Sequence, residues 1–217
     1  MNEFNTAVVN KTLNILVSIL EKNNIQYRFL GSIVFAALNG RLHRNIGDLD
    51  LLVDLSGKDI LFKELKKLGY YQADGIFAFG RKYLALETLK HPSLLEVGFF
   101  YGKWKDDGAF VMGNEKANLE IEPHAVRATP RELNGIHFVS IPDRAIAAGV
   151  YTSRTNPKRQ KEIEILKEKE IEPLPHKYIH VTILKVHADW IYHLSIQLLN
   201  IIGAIRVRMG MAFDPWR

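Results

Sequence analysis

The seven residues DLDLLVD, Asp48 to Asp54, constrain this chain more than any other stretch. In a strand, residues i and i+2 share a face. Asp48 and Asp50 therefore project side by side, while Leu49 and Leu51 turn the other way into a core. Like charges that close raise each other's pKa, and burying either costs several kcal/mol unless something compensates it. A fold that accepts this strand must bring positive charge to the aspartate face, and a metal ion is the natural partner. Carboxylate oxygens favour a hard ion, Mg2+ or Mn2+, which keeps water and phosphate oxygens as its remaining ligands.

The residues upstream supply a matching half. IQYRFL reads as a short strand running into Gly31, and SIVFAALNG reads as a short helix with Ser32 as N-cap and Gly40 just past its end. A strand that turns through Gly31 into a helix at Ser32 leaves unpaired backbone N–H groups at a positive helix end, where phosphates bind. An anion cradle beside metal carboxylates predicts a metal–nucleotide site. Arg41 and Arg44, between the helix and the acidic strand, suit triphosphate oxygens through the guanidinium fork. His43 between them reads as an exposed loop histidine.

This arrangement resembles the DNA polymerase β-type nucleotidyltransferase superfamily. The shared pattern is a Gly-[Gly/Ser] pair, a helix and a strand bearing [Asp/Glu]-x-[Asp/Glu], here Gly31-Ser32 and Asp48-Leu49-Asp50. The likeness is greatest to the small branch that adenylylates aminoglycosides or lincosamides, through Gly40-Arg41 and then Arg44 before the acidic strand. It covers roughly residues 25–170, and most strongly 29–54. Two departures stand out. Ser32 replaces the second glycine usual in that branch, and a lysine-aspartate helix near the domain end is only echoed, by Lys161-Glu162 in KRQKEIEIL.

The resemblance implies an α+β nucleotidyltransferase fold, a mixed sheet with flanking helices. It also implies a third carboxylate on a later strand, which completes the ligands of one metal and accepts the proton of the attacking hydroxyl. Glu96 in LLEVGFF is the preferred candidate, because it is flanked by apolar residues as the aspartates are; Glu87 in LALETL is its rival. The implied activity is Mg2+-dependent transfer of a nucleoside monophosphate from an NTP to a hydroxyl of a small molecule, releasing pyrophosphate. The alternatives are a non-catalytic domain of the same fold that binds a nucleotide or a partner, and nucleotidyl transfer to RNA or protein.

Composition narrows the rest. With 217 residues, 47% hydrophobic and 24% charged, the chain is long enough for a sizeable core. The absence of cysteine removes disulfide frameworks, thiolate metal sites and thiol catalysis, and a reducing cytoplasm fits. The N-terminal stretch reads as an amphipathic helix and not as a signal peptide. A formal charge of +5 is thin for a dedicated nucleic-acid binder, so nucleic acid is disfavoured as partner.

The expected organisation is a nucleotidyltransferase domain over 1–172 and a helical extension over 173–217, with Tyr178 to Met211 read as helix. The run IYHLSIQLLNIIGAI within it has 15 residues, where a membrane span needs about 20. It needs covering nonetheless, either by the core, as one wall of an acceptor cleft, or by the same helix of a second copy in a homodimer.

Overall fold

The computed structural model describes residues 5–72, 86–113, 117–175, 178–183, 186–190, 194, 197 and 201. The sequence-predicted strand GIFAFG lies outside these residues. Helix α1 (Thr6–Lys22) buries Val9, Leu13, Leu16 and Leu20, the 3.6-residue stripe seen in the sequence. Strand β1 (Tyr27–Leu30) leads through Gly31 into α2 (Ser32–Asn39), which ends on Gly40 in the left-handed conformation. Strand β2 (Asp48–Asp54) follows, then a 3-10 turn and α3 (Lys58–Lys67).

The chain continues through β3 (Tyr71–Gln72), β4 (Leu86–Lys90), β5 (Glu96–Trp104), β6 (Phe110–Gly113) and β7 (Ala117–Ile121). A single turn, α4 (Pro123–Val126), precedes the hairpin of β8 (Thr129–Leu133) and β9 (Ile136–Ser140). Helices α5 (Asp143–Thr152) and α6 (Gln160–Glu168) come next, separated by a 3-10 turn that begins at Pro157.

With β10 (Ile179–Ile183) and β11 (Val186–His187) from the C-terminal segment, the strands form one mixed sheet in the order β11-β10-β7-β6-β5-β2-β1-β9-β8, with β4 pairing along the first part of β5 and β3 on β4. Its centre, β1 against β2 and β2 parallel to β5, buries Phe29, Leu49, Leu51, Phe99 and Tyr101. Helix α2 touches β1, β8 and α6, so the short helix after Gly31 is clamped between the sheet and the later helical pair.

The C-terminal segment departs from expectation. Its first part is not helix but β10 (Ile179–Ile183) and β11 (Val186–His187), with β10 antiparallel to β7 over five residue pairs. The β-branched alternation of IHVTI, next to the free edge of β7, outweighs the apolar run that suggested a helix. The described residues from 189 to 201 are helical. Asp189 Oδ1 accepts from the Val181 backbone N–H at 2.7 Å, and its other oxygen lies 3.1 Å from His180 Nδ1. Among the described residues, no helix is long and apolar enough to cross a membrane.

Candidate active site

Strand register decides which acids share a face. Asp48 lies opposite Glu96 and Asp50 opposite Gly98 in the parallel β2–β5 pair. Directly opposed residues point to the same side, so Asp48, Asp50 and Glu96 occupy one face at one corner of the sheet. Glu87 is opposite Phe99 and hence on the other face, where its carboxylate is paired with Lys58 of α3 and is largely buried. The register thus brings Glu96, and not Glu87, to the aspartates. Asp48 is exposed, and Asp50 and Glu96 are partly buried.

The three carboxylates share a face without converging on one point. Glu96 Oε2 lies 3.6 Å from Lys90 Nζ, and no three His, Asp or Glu side chains converge as a metal shell among the described residues. Asp50 nevertheless registers the crowding. Burial, and then the Asp48 charge, push its carboxyl up to about 7, with Glu96 adding to the effect and Arg159 opposing it. A divalent cation would relieve that arrangement, and an all-oxygen donor set suits a hard ion, so these residues fit Mg2+ or Mn2+.

Gly98 makes room for Asp50, and Gly31 borders it at ordinary van der Waals distance. A Cβ on Gly98 would overlap Asp50 Oδ1, and one on Gly31 would stand 3.6 Å from Asp50 Oδ2. The carboxylate is thus seated between the floor strand β5 and the turn that opens α2. Gly31 adopts φ 69° and ψ −148°, a conformation that disfavours a side chain, and it occupies the N-cap position, with Ser32 already helical. The turn and the acidic strand meet because Leu30 pairs with Asp50 in the β1–β2 ladder.

The polar side chains beside the turn are organised differently from the sequence expectation. Ser32 Oγ donates to Glu162 Oε1 at 3.2 Å and accepts from Arg44 Nη2, so its hydroxyl is engaged and its backbone N–H is what the helix end offers. Arg44 also donates to Glu162 Oε1 from Nε at 3.3 Å and Nη2 at 3.1 Å. Arg41 is exposed and is not brought into this cluster. His43 is a correction: it is buried, with Nε2 3.4 Å from Glu162 Oε1 and its ring edge-on to Phe35. The loop from Leu42 to Ile46 folds inward on its apolar ends and carries the histidine with it.

Glu162, the faint echo in the sequence, is fully buried at the centre of the cluster. Its Oε2 accepts from Arg159 Nη1 at 2.8 Å. Burial alone would raise its pKa, but the His43 hydrogen bond and the charges of Arg159 and Arg44 outweigh burial and hold the carboxyl down at about 2. Arg159, which acts on both Glu162 and Asp50, was not singled out by the sequence. The available signal was its i,i+3 spacing to Glu162 on a helix start.

Comparison with known proteins supports the fold. No family model matches the chain, and no curated protein matches it in sequence. Among solved structures, it is similar to the lincosamide antibiotic adenylyltransferase LnuA with lincomycin bound, at 17% identity and TM-score 0.60, over 76% of this chain and 98% of that one. It is also similar to ANT(2")-Ia in complex with adenylyl-2"-tobramycin, at 15% identity and TM-score 0.54, over 93% and 99% of the two chains. A solution structure of the antibiotic-resistance factor ANT(2'')-Ia matches at 16% identity and TM-score 0.54, over 94% of each chain.

Proposed function

We propose that this chain, which has the nucleotidyltransferase fold, moves a nucleoside monophosphate from an NTP to a hydroxyl of a small molecule. The observation that carries the reading is the corner where Gly31, Asp50 and Gly98 meet. There an anion-binding helix end adjoins a face bearing Asp48, Asp50 and Glu96. The fold neighbours that act on lincosamide and aminoglycoside antibiotics support a small-molecule acceptor.

Asp48, Asp50 and Glu96 would hold Mg2+ or Mn2+. When bound, the ion would offset negative charge on the phosphate oxygens during displacement. The backbone N–H groups at Gly31 and Ser32 bind the terminal phosphates, and Arg44 and Arg159 add positive charge beside them. The acceptor oxygen attacks the α-phosphorus, the bond from that phosphorus to the bridging oxygen breaks, and pyrophosphate leaves. Glu96 takes the acceptor's proton, which requires its carboxylate to turn from Lys90 toward the hydroxyl.

The ion pair between Glu96 and Lys90 favours one rival reading, a domain that binds nucleotide without turnover. The separating experiment incubates the protein with Mg2+, candidate acceptors and each NTP labelled at the α or the γ position. Transfer is expected to put only α-label on the acceptor, with γ-label released as pyrophosphate. Bound NTP with no labelled product for any acceptor would favour the binding domain. Glu96→Gln should lower kcat by about 10²–10⁴-fold with NTP binding retained, and Glu87→Gln should leave kcat near wild type. The reverse pattern would move the proton acceptor to the other strand.

A further inference from the structure

One carboxylate ties together parts of the chain that are far apart in sequence. Glu162 accepts hydrogen bonds from Ser32, 130 positions away, and from Arg44, 118 positions away, and it also receives Arg159 from its own helix start. The two arginines divide its oxygens, Arg44 on Oε1 and Arg159 on Oε2. A single negative charge thus sits between two positive ones, which fixes their separation and leaves a surplus positive charge beside the Gly31–Ser32 turn. Arg159 Nε is buried and has no partner, and the remaining Arg44 nitrogen, Nη1, donates to Asn45 O at 3.0 Å. Glu162 itself is fully buried.

We propose that Glu162 is a positioning residue for polyphosphate. It holds the Arg44 and Arg159 guanidiniums as a fixed pair next to the helix end, acting through them without touching the substrate. The inference rests on the nucleotidyl-transfer reading and adds to it the group that arranges the phosphate side. Its logic is electrostatic. Without Glu162, two like charges lose the anion between them and repel, and the Ser32 hydroxyl loses an acceptor. Each arginine would then have to be ordered by the ligand itself, at the ligand's expense. The carboxylate's low pKa keeps it charged at neutral pH.

The test measures binding by calorimetry to the full chain, with inorganic triphosphate and Mg2+ as one probe and the unphosphorylated nucleoside of the preferred NTP as the other. Glu162→Gln should weaken triphosphate by about 10- to 100-fold, the scale for losing a charged hydrogen-bond partner, and leave nucleoside affinity unchanged. Glu162→Asp, which keeps the charge but shortens the reach, should show a smaller loss. In an Arg44→Gln background, the Glu162→Gln loss should shrink, because part of the effect runs through Arg44.

If Glu162→Gln does not fold, Glu162→Asp and Arg159→Gln carry the comparison. Triphosphate binding within twofold of wild type in the folded variants overturns the inference, whatever their melting temperatures. So does equal weakening of triphosphate and nucleoside. A wild-type chain that binds neither triphosphate nor NTP overturns the nucleotidyl-transfer reading, and the inference falls with it.

Discussion

At the residue scale, Asp50 registers the burial and crowding of the acidic face. Its folded pKa is raised to about 7 from an ordinary 3.8, so the folded chain holds a proton there that the unfolded chain has already released. Such a group contributes stability that is fully present below about pH 4 and is lost as pH rises through about 7. Without metal, wild type should therefore weaken over that window relative to Asp50→Asn, by a few kcal/mol at most. Urea titrations at pH 4, 6 and 8 measure this, and Mg2+ at pH 8 should narrow the gap. Parallel curves for the two proteins would contradict the assigned crowding. The same carboxylate makes Gly98 indispensable. Gly98→Ala should displace Asp50 and weaken Mn2+ binding by about tenfold or more, read by electron paramagnetic resonance, with the sheet intact by circular dichroism.

At the scale of elements, legibility followed the strength of local signals. DLDLLVD declared β2 because its alternation and its charges agree, and Gly31 and Gly40 bracketed α2 through the backbone angles that glycine supplies. The hairpin of β8 and β9 carries an equally clear signal, Asn134-Gly135 with both residues at positive φ. Gly135 has open space around its missing side chain, so Gly135→Ala should cost about 1–2 kcal/mol from backbone conformation alone. Thermal denaturation reads this directly, and an unchanged midpoint would mean the turn tolerates a side chain. Strand β10 was missed because local apolarity cannot show that β7 has an edge to offer. Glu162 was faint for a similar reason: its partners are remote in sequence, so neither spacing nor composition could disclose the cluster.

At the scale of the whole molecule, the sheet works as a positioning frame. It aligns β2 with β5 so that three acids share a face, and it delivers the turn of α2 to the same corner through β1. The later helices reach the same corner through Glu162, so segments from both halves of the chain meet there. The sequence showed which residue types would meet, namely Gly31, Asp48 and Asp50, because their chemistry demands a partner. It preferred Glu96 to Glu87 on apolar flanks alone, and the register adds the physical reason, since the two residues lie on opposite faces of the sheet. The segment of β10 and β11 extends the same sheet and is fastened by His180 between Glu122 and Asp189. Those two carboxylates raise the histidine's pKa, so its contribution is full below the ordinary histidine value and fades as pH rises through the raised one. Amide exchange in β10 should therefore accelerate over that range beyond the intrinsic pH effect, and should lose this extra acceleration in His180→Gln.

In the proposed function, the acidic face and the helix end form one site, in which metal and nucleotide complete each other's coordination. Calorimetric titration of NTP into the full chain, with and without Mg2+, tests it most directly. Mg2+ should tighten NTP binding by about tenfold or more, and the gain should disappear in Asp48→Asn and Asp50→Asn while NTP affinity without Mg2+ persists. NTP affinity that is indifferent to Mg2+, or a gain that survives both substitutions, would contradict it.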